Sequence, residues 1–464
     1  MTSRVKTKPP KVLILGLGRY PQGSGVSAAL YFARQKADVL VTDLKTAKDL
    51  KDNVAQLKKF KNVRFRMGKN LVSDIDWADV VVKNPDIRRN SELYKRALQL
   101  NKPIINDITV FLEKSPCPVI GITGTRGKST TTTWITDMLK QSGKSVYIGG
   151  NITVSPLTFL YKLKKTDIAV VELSSWLLET CGQNGLSPNI AVWTNVMNDH
   201  LNTYDGLDDY IEAKAQIMRN QKPDDIFIPN LDDDRVSSYI FDAPAKVLGF
   251  SLKRKSKSAA WISHGWIVLK KGSAIQKVLK AKDIRLSGEH NLSNALAAVV
   301  ASSTAGANIA GIRKSLKTFS GIPYRQQIVA VKQGLTFVND TTATTPDAAS
   351  AALKRFASKN NRIHWICGGA EKSLPYEDLM KLVKKMQPDT HVLIGTAFDR
   401  FTKALEKQKI KYQKAESLKQ AFERAVQSAK PGDIILLSPA CASFGLFKNE
   451  FDRGNQFNNL VEKL

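Results

Sequence analysis

The stretch PVIGITGTRGKSTTTTWITDMLK, residues 118–140, decides the fold. An apolar run over 118–122 predicts a buried strand, and the run that follows residue 128 predicts a helix. Glycines between the two elements let backbone N–H groups approach phosphate oxygens, and the first turn of a helix favours anions. A lysine suits the β and γ phosphates, and a hydroxyl can bind Mg²⁺. The stretch therefore predicts a triphosphate-binding loop made of Gly124, Thr125, Gly127, Lys128, Ser129 and Thr130.

The spacing of this loop departs from the common phosphate-loop pattern. That pattern places a glycine at position 122, where this chain has Ile122, so the match is to the variant G-T-x-G-K-[ST]. A glycine turn with a purely structural role is the alternative interpretation. The order of strand, lysine and hydroxyl favours the phosphate site.

Short apolar runs alternate with helix-period segments on both sides of the loop. This alternation predicts an α/β protein with parallel sheets, and 464 residues are too many for one core. We expect three domains. They are a Rossmann-like N-terminal domain over 1–106, a central P-loop ATPase-like domain over 107–321 and a C-terminal Rossmann-like domain over 322–464.

A second glycine loop, LILGLGRYPQGSG, lies at residues 13–25 and is followed by a helix pattern and a strand that ends at Asp43. It resembles a dinucleotide-binding fingerprint, with Gly16 and Gly18 in place. The third glycine, which lets the helix pack close to the strand, is replaced by Pro21, so we expect the close fit to a dinucleotide to be lost. The pattern predicts strand, loop, helix and strand, and it leaves a nucleotide-dependent oxidoreductase as a distant alternative.

The composition limits the partners. The chain has 70 Lys and Arg against 42 Asp and Glu, a net charge of +28. These cations are spread through helix-like segments without interleaved aromatic residues, so we expect a solvated surface that attracts anionic substrates, without specific nucleic-acid binding. Four scattered cysteines and five histidines argue against a disulfide framework or a structural zinc site. No apolar run reaches the roughly 20 residues of a membrane span, and we expect a cytoplasmic monomer.

Three residues outside the loop are candidates for a metal site. Glu172 ends an apolar run and His200 follows another, so both lie where open α/β sheets place ligand groups. Either residue could instead have a structural role, as a helix cap or a loop histidine. Lys214 lies in a helical stretch, and taken alone it is interpreted as a surface lysine.

Several motifs occur together and in order along the chain. They are GTRGKST (124–130), ELSSWLLE (172–179), TNVMNDHLNTY (194–204), EAK (212–214), SGEHNLSNALAA (287–298), IPYR (322–325), NDTTAT (339–344), GGAEKS (368–373) and SPACASFGLFKNEFDRGNQF (438–457). This set resembles the Mur ligases, and it covers all three expected domains. The resemblance is closest to the members that add D-glutamate. It implies ATP-dependent amide synthesis on UDP-N-acetylmuramoyl-L-alanine through an acyl phosphate, in peptidoglycan precursor synthesis. A sister ligase that uses L-glutamate or another amino acid is the alternative.

The resemblance also implies roles for individual residues. Catalytic roles fall to Lys128, His200, Lys214 and Arg325. ATP contacts beyond the phosphate loop fall to Asn291, Asn294, Arg325 and Asp340. The UDP-linked substrate would meet Gly18, Arg19, Tyr20, Asp43, Asn151, Ser174 and His200. Glutamate would meet Thr344, Lys372, Ser443 and Phe451. Two Mg²⁺ ions would be held by Ser129, Glu172, His200 and Lys214, the last as a carbamate. Because these residues belong to different domains, the resemblance implies domain closure during catalysis.

A few positions depart from the family pattern. Thr342 stands where a lysine is common, and Glu450 precedes Phe451 where an aromatic residue is expected. Leu177 replaces a frequent polar residue, and Asp86 replaces a glycine near the uridine side. None of these positions belongs to the phosphate loop or to the expected metal ligands. The reaction class is therefore better determined than the choice of amino acid.

Overall fold

The computed structural model describes residues 8–85, 87–151, 154–197, 204–358, 361–370, 375–394, 398–443 and 445–464. The chain forms two compact units, residues 1–319 and 320–464. The first unit contains three sheets and the second contains one. Within the described residues, no helix is both long and apolar enough to cross a membrane.

The first sheet is parallel, with the strand order β3-β2-β1-β4-β5. Its strands are β1 (Lys11–Leu15), β2 (Asp38–Asp43), β3 (Val63–Met67), β4 (Val80–Lys83) and β5 (Ile104–Ile105). The accompanying helices are α1 (Ser24–Arg34), α2 (Lys51–Leu57), α3 (Val72–Trp77), α4 (Glu92–Gln99) and α5 (Asp107–Lys114). The valine- and isoleucine-rich strands are buried on both faces, as parallel sheets require. The strand, helix and second strand predicted around the first glycine loop are β1, α1 and β2.

The second sheet is also parallel, in the order β11-β10-β9-β6-β8-β7. Its strands are β6 (Val119–Thr123), β7 (Val146–Gly150), β8 (Ile168–Glu172), β9 (Ile190–Trp193), β10 (Ile226–Pro229) and β11 (Lys246–Val247). The helices are α6 (Lys128–Gln141), α7 (Ser175–Gln183), α8 (Leu207–Arg219), α9 (Asp234–Ser237), α10 (Glu289–Thr304) and α11 (Ile309–Thr318). Trp134 of α6 is fully buried and stacks on Phe319, with ring centroids 4.8 Å apart. Strand β6 lies between β8 and β9 in this sheet. The phosphate loop, which follows β6, therefore lies between the carboxyl ends of those two strands.

A small four-stranded sheet in the order β12-β13-β14-β15 follows the second sheet along the chain. Its strands are β12 (Gly249–Ser251), β13 (Ser258–Ser263), β14 (Trp266–Lys271) and β15 (Ala274–Lys280). Short 3₁₀ helices elsewhere in the first unit span Pro156–Thr158, Leu160–Lys162, Ser238–Ile240 and Ala281–Asp283.

Polar contacts connect the first sheet to the helices of the second sheet within the first unit. Arg89, which follows β4, pairs with Asp209 of α8 and donates to Glu179 of α7 at 3.4 Å.

Ser24 of α1 donates to the buried Asp107 carboxylate at 2.6 Å. Burial raises the pKa of Asp107. The expected boundary at residue 107 lies inside this unit and stays a prediction.

The second unit is built on a six-stranded sheet in the order β16-β17-β21-β18-β19-β20. Strands β16 and β17 are antiparallel, and the other pairs are parallel. The strands are β16 (Gln327–Lys332), β17 (Leu335–Asn339), β18 (Ile363–Gly369), β19 (Asp389–Ile394), β20 (Gln413–Ala415) and β21 (Ile434–Leu437). The helices are α12 (Pro346–Phe356), α13 (Glu377–Met386), α14 (Phe398–Lys407), α15 (Leu418–Ser428) and α16 (Glu450–Glu462). The predicted α/β class with parallel sheets is confirmed.

Candidate functional site

The phosphate loop joins β6 to α6, and its glycines are required by its geometry. Gly127 begins α6 with φ +82°, and Gly124 has φ +146°. A Cβ at Gly124 would lie 2.0 Å from the Thr194 hydroxyl oxygen, and one at Gly127 would lie 2.3 Å from the Asn294 side-chain oxygen. Both values are far below contact distance. No other residue type fits these two positions without movement of a neighbour.

The end of β9 holds the loop in shape. Thr194 Oγ1 donates to the Arg126 carbonyl at 2.7 Å, and the Arg126 N–H donates to Asn195 Oδ1 at 2.9 Å. The Thr125 N–H donates to the Asn195 carbonyl at 3.0 Å. Sequence reasoning assigned no role to Thr194 or Asn195. The available signal was two polar residues directly after a buried strand, next to the strand that carries the loop.

Two lysine ammonium groups converge on the loop. Lys128 Nζ donates to the Gly124 carbonyl at 2.9 Å and to the Thr125 carbonyl at 3.1 Å. Lys214 Nζ donates to the same Gly124 carbonyl at 3.2 Å and lies 4.5 Å from the centre of the Tyr210 ring. The interpretation of Lys214 as a surface lysine is wrong, because the packing of α8 leaves it only 1% exposed. Two cations at one carbonyl make this loop a strong site for an anion.

Glu172 brings a carboxylate to the same edge of the sheet. The register of β8 against β6 pairs Glu172 with Ile122, immediately before the loop. Glu172 is 2% exposed, and its Oε1 accepts from Asn151 Nδ2 at 3.3 Å. Its Oε2 is buried and has no hydrogen-bond partner among the described residues. A buried carboxylate oxygen without a donor fits a cation.

The donor set around Glu172 fits Mg²⁺ in particular. Ser129 and Thr130 open α6 with hydroxyl groups, and Mg²⁺ prefers carboxylate, hydroxyl and phosphate oxygens. His200, the expected ligand of a second ion, lies outside the described residues. The residues that are described therefore fit one Mg²⁺ at Ser129 and Glu172.

A cavity of about 560 Å³ opens beside the loop. Its wall includes Gly127, the end of β9, the segment over 232–235 and the start of α10. Asn294 lies on this wall, and its Oδ1 accepts from Thr131 Oγ1 at 3.4 Å. Asn291, the other expected contact of the base, instead donates from its amide to the Ser287 carbonyl at 2.7 Å. Sequence reasoning missed Asp233, which also lines the cavity. Its carboxylate accepts from the Val196 N–H at 2.7 Å and so holds two parts of the cavity wall together.

The first glycine loop is held by Asp43. The Gly18 N–H donates to Asp43 Oδ2 at 3.0 Å, and the Lys45 N–H donates to Oδ1 at 2.9 Å. Pro21 stands where the fingerprint has its third glycine, and another glycine brings the helix close to the strand. A Cβ at Gly25 would lie 2.2 Å from the Gly16 carbonyl oxygen, so Gly25 makes the close approach of the missing third glycine.

The other described residues expected at the UDP-linked substrate lie near the starts of two helices, α1 and α7. Arg19 and Tyr20 are exposed beside the N-terminus of α1. Ser174 caps α7 by accepting from the Leu177 N–H at 3.4 Å. Leu177 itself is buried, so the departure at this position places an apolar side chain in the core. Asp86 lies outside the described residues.

Asp340 follows β17 in the second unit. Its carboxylate accepts from the Gln326 N–H at 2.9 Å and from Ser438 Oγ at 2.8 Å. Burial raises the pKa of Asp340 to about 7, although Arg325 and Arg355 act in the opposite direction. Arg325 is therefore close enough to act on the Asp340 carboxylate. The resemblance implies that both residues contact the same nucleotide.

Two of the residues expected at glutamate follow the carboxyl ends of strands in the second unit. Thr344 follows β17, and Ser443 follows β21 and is 2% exposed. Phe451 packs edge-on against Tyr324, with ring centroids 5.9 Å apart. Lys372 lies outside the described residues. Thr342, the departure from lysine, donates its hydroxyl proton to the Tyr324 carbonyl at 2.9 Å.

Arg453 connects these segments, and sequence reasoning missed it. Its side chain is fully buried and donates to Thr341 Oγ1 and to the Thr341 carbonyl, both at 2.9 Å. Longer bonds of 3.4 Å reach the carbonyls of Cys441 and Ala442. Burial lowers the pKa of Arg453 to about 10. The only sequence signal was its place within a long motif.

Comparisons with known proteins agree with this geometry. The model of the Mur ligase middle domain matches residues 122–302, and that of the Mur ligase glutamate ligase domain matches residues 324–441. A protein of Roseiflexus sp. (strain RS-1) named UDP-N-acetylmuramoylalanine--D-glutamate ligase is 36% identical over 97% of this chain and 98% of its own length. A protein of Lacticaseibacillus paracasei with the same name is 36% identical over 98% of this chain and 96% of its own.

Solved structures share the fold. The UDP-N-acetylmuramate-alanine ligase of Thermotoga maritima covers 98% of this chain and 99% of its own, with a TM-score of 0.56 at 20% identity. The MurF ligase of the same organism, solved with ADP, has a TM-score of 0.52 at 18% identity and covers 98% of both chains. The parallel fold and the phosphate loop define a nucleotide-binding α/β ligase. The chain belongs to the Mur ligase family.

Proposed function

We propose that this chain joins D-glutamate to UDP-N-acetylmuramoyl-L-alanine with ATP, in the synthesis of peptidoglycan precursors. The full-length similarity to ligases of that name supports this substrate pair. The observation that carries the reaction class is the phosphate loop with the Lys128 ammonium on the Gly124 carbonyl and, at the same edge of the sheet, the unpartnered Glu172 Oε2. That arrangement serves an anion and a divalent cation together.

The nucleotide occupies the loop and its neighbouring cavity in this proposal. The N–H groups of Gly127 to Thr130, at the start of α6, face the phosphates, and Lys128 exchanges its carbonyl partners for phosphate oxygens. The nucleoside then extends into the cavity past Asn294. Asn291 lies one helical turn earlier on α10, and Arg325 and Asp340 contribute from the second unit.

Ser129 and Glu172 hold Mg²⁺, and a second ion is held by His200 with Lys214. The ions supply positive charge to the transferred phosphoryl group. For Lys214 this role requires the carbamate, which converts its buried ammonium into an oxygen ligand. The Tyr210 ring and the loop carbonyl already hold the side chain in place for it.

The chemistry follows from the weakness of a carboxylate as an acyl donor. The alanyl carboxylate attacks the γ-phosphorus, an acyl phosphate forms and ADP leaves. The amine of glutamate then attacks the acyl carbon, gives up a proton, and the tetrahedral intermediate releases phosphate to leave the amide. Lys128 keeps the phosphate charge neutralised during both steps.

The substrates on either side meet prepared surfaces. The UDP group lies at Gly18, Arg19, Tyr20 and Asp43, where α1 begins at Gly23, a residue without a side chain to cap the helix N–H groups. Asn151 and Ser174 approach it from the second sheet. Glutamate is held by Thr344, Lys372, Ser443 and Phe451, because hydroxyls and an ammonium suit two carboxylates.

We place the UDP-binding domain at 1–106, the ATP-binding domain at 107–321 and the glutamate-binding domain at 322–464. The enzyme acts as a cytoplasmic monomer on small-molecule substrates alone. These boundaries and this setting follow the position of the sheets and the charge pattern of the sequence.

Phosphate release from the purified protein tests the proposal. With ATP, Mg²⁺ and UDP-N-acetylmuramoyl-L-alanine, phosphate should appear only when D-glutamate is added. L-glutamate, lysine and diaminopimelate serve as competing amino acids, and release with lysine alone would overturn the assignment. Lys128→Ala should abolish turnover, whereas Lys140→Ala, at the exposed end of the same helix, should leave it unchanged. Full activity of Lys128→Ala would reject the phosphate site.

A further inference from the structure

A cluster of two histidines and one aspartate lies inside the second unit, outside the proposed catalytic site. His364 is the second residue of β18, and Asp389 and His391 are the first and third residues of β19. The parallel register pairs His364 with Asp389. Because side chains two residues apart on a strand share a face, His391 joins them on the same side of the sheet.

The three side chains approach each other closely. His364 Nδ1 lies 3.1 Å from Asp389 Oδ2, and His391 Nε2 lies 3.4 Å from the same oxygen. The three nearest donor atoms all lie within 4.8 Å of one another. Both imidazoles are 0% exposed, and the Asp389 side chain is 18% exposed. The cluster is therefore buried, with one edge near solvent.

His391 is the member that the protein alone does not satisfy. Both of its ring nitrogens are buried, and neither makes a hydrogen bond within the described part of the chain. A buried polar group without a hydrogen-bond partner is unfavourable, and a bound ion would satisfy it. A buried imidazole nitrogen without a hydrogen-bond partner can offer its lone pair to a metal ion. A neutral imidazole is the form that binds a metal ion.

Asp433 completes the surroundings of His364 from the far side. Its Oδ2 lies 3.2 Å from His364 Nε2, and backbone N–H groups of Arg362 and Lys430 fix the carboxylate at 3.0 and 2.9 Å. A carboxylate on the outer nitrogen of a histidine is the common support for a metal ligand. With a proton held on Nε2 by Asp433, the lone pair of Nδ1 would be left for the ion.

We propose that His364, Asp389 and His391 bind a zinc-class divalent ion. Two ligand atoms about 2.0–2.1 Å from Zn²⁺ at a tetrahedral angle are about 3.3 Å apart, so the 3.1 and 3.4 Å separations already fit two edges of the site. The third edge, between the two imidazoles, shortens when the ion binds. Solvent at the Asp389 side supplies the fourth ligand.

The position of the cluster assigns the ion a structural role. It lies at the amino ends of β18 and β19, whereas Asp340 and Ser443 follow the carboxyl ends of strands in the same sheet. The ion cross-links two neighbouring strands and, through Asp433, a third. The sequence-based expectation of no structural zinc site looked for paired cysteines. It could not see ligands that come from separate strands.

Zinc binding by the untagged full chain tests the proposal after treatment with a chelator. Excess Mg²⁺ is present throughout to occupy the oxygen-rich site of the first unit. We expect one Zn²⁺ to bind and to raise the thermal unfolding midpoint. His391→Leu should abolish that shift, and Asp433→Asn should weaken Zn²⁺ binding by about 10–100-fold. His264→Asn, at an exposed turn in the first unit, is the matched control and should bind as the wild type does.

Equal Zn²⁺ affinity in the wild type and in His391→Leu would overturn the site. So would a wild type whose midpoint does not respond to Zn²⁺. Co²⁺ gives a measurement that needs no variant to fold. Co²⁺ bound to the wild type should show the strong visible absorption of a tetrahedral ion, and a weak octahedral spectrum would contradict the proposal.

Discussion

Alanine substitutions at the two glycines that flank α6 separate the role of the phosphate loop from backbone strain. Gly127 begins the helix with φ +82°, and Gly143 follows its end with φ +76°. An alanine in this left-handed region costs about 1–2 kcal/mol at either position. Gly143 is exposed, and a Cβ there meets no atom within 4 Å among the described residues. Gly143→Ala therefore measures the backbone cost alone.

Gly127→Ala adds a collision to the same cost. The new Cβ would lie 2.3 Å from Asn294 Oδ1, so the Asn294 side chain must rotate and lose its hydrogen bond from Thr131. One lost hydrogen bond is worth about 1 kcal/mol, which brings the total for Gly127→Ala to about 2–3 kcal/mol. The displaced amide also enters the nucleotide cavity. We expect at least a tenfold loss of ATP affinity, or about 1.4 kcal/mol.

Urea unfolding and calorimetric titration with a non-hydrolysable ATP analogue measure both effects. Gly143→Ala should be less stable than the wild type and bind the analogue equally well. Gly127→Ala should lose more stability and most of its affinity. If the two variants lose affinity equally, or if Gly127→Ala binds like the wild type, the assignment of the loop as the nucleotide site is refuted.

Three further substitutions test other features. Glu172→Gln removes a buried charge without changing the shape of the side chain, so we expect unchanged or higher stability. At saturating Mg²⁺ we expect kcat to fall by at least about 100-fold. An unchanged kcat would exclude Glu172 as a metal ligand. Arg89→Ala removes the cation that pairs with Asp209 and Glu179. It should lower the free energy of unfolding, measured in urea, by about 1–3 kcal/mol. Arg89→Lys should restore part of that stability. Asp340, with a pKa raised from 3.8 to about 7, keeps a proton in the folded state that the unfolded chain releases. As the pH rises from about 4 to 7, the free energy of unfolding should therefore decrease by up to about 1.4 kcal/mol per pH unit. Asp340→Asn should remove this pH dependence. An identical slope in the variant would contradict the assignment of the slope to Asp340.

Local pattern accounts for much of the fold. Strand β6, the loop after it and helix α6 could be predicted from residues 118–140, because an apolar run, glycines and a helix start are neighbours in sequence. The same holds for Glu172, which ends β8 at the edge where parallel strands present ligands. Lys214 could not be placed from its own segment, because burial depends on the partner that α8 packs against. The motif resemblance supplied what the helix pattern lacked.

Residue type and spacing were enough to predict the parallel α/β class, the phosphate loop and the family. These features are written in contiguous residues, where spacing and residue type restrict the backbone directly. The tertiary structure alone decided that Gly25 replaces the missing third glycine, that Arg453 is buried beneath Thr341, and that His364, Asp389 and His391 meet. Each of these facts depends on which distant segments are brought within a few ångströms of one another, and strand order and register set that proximity.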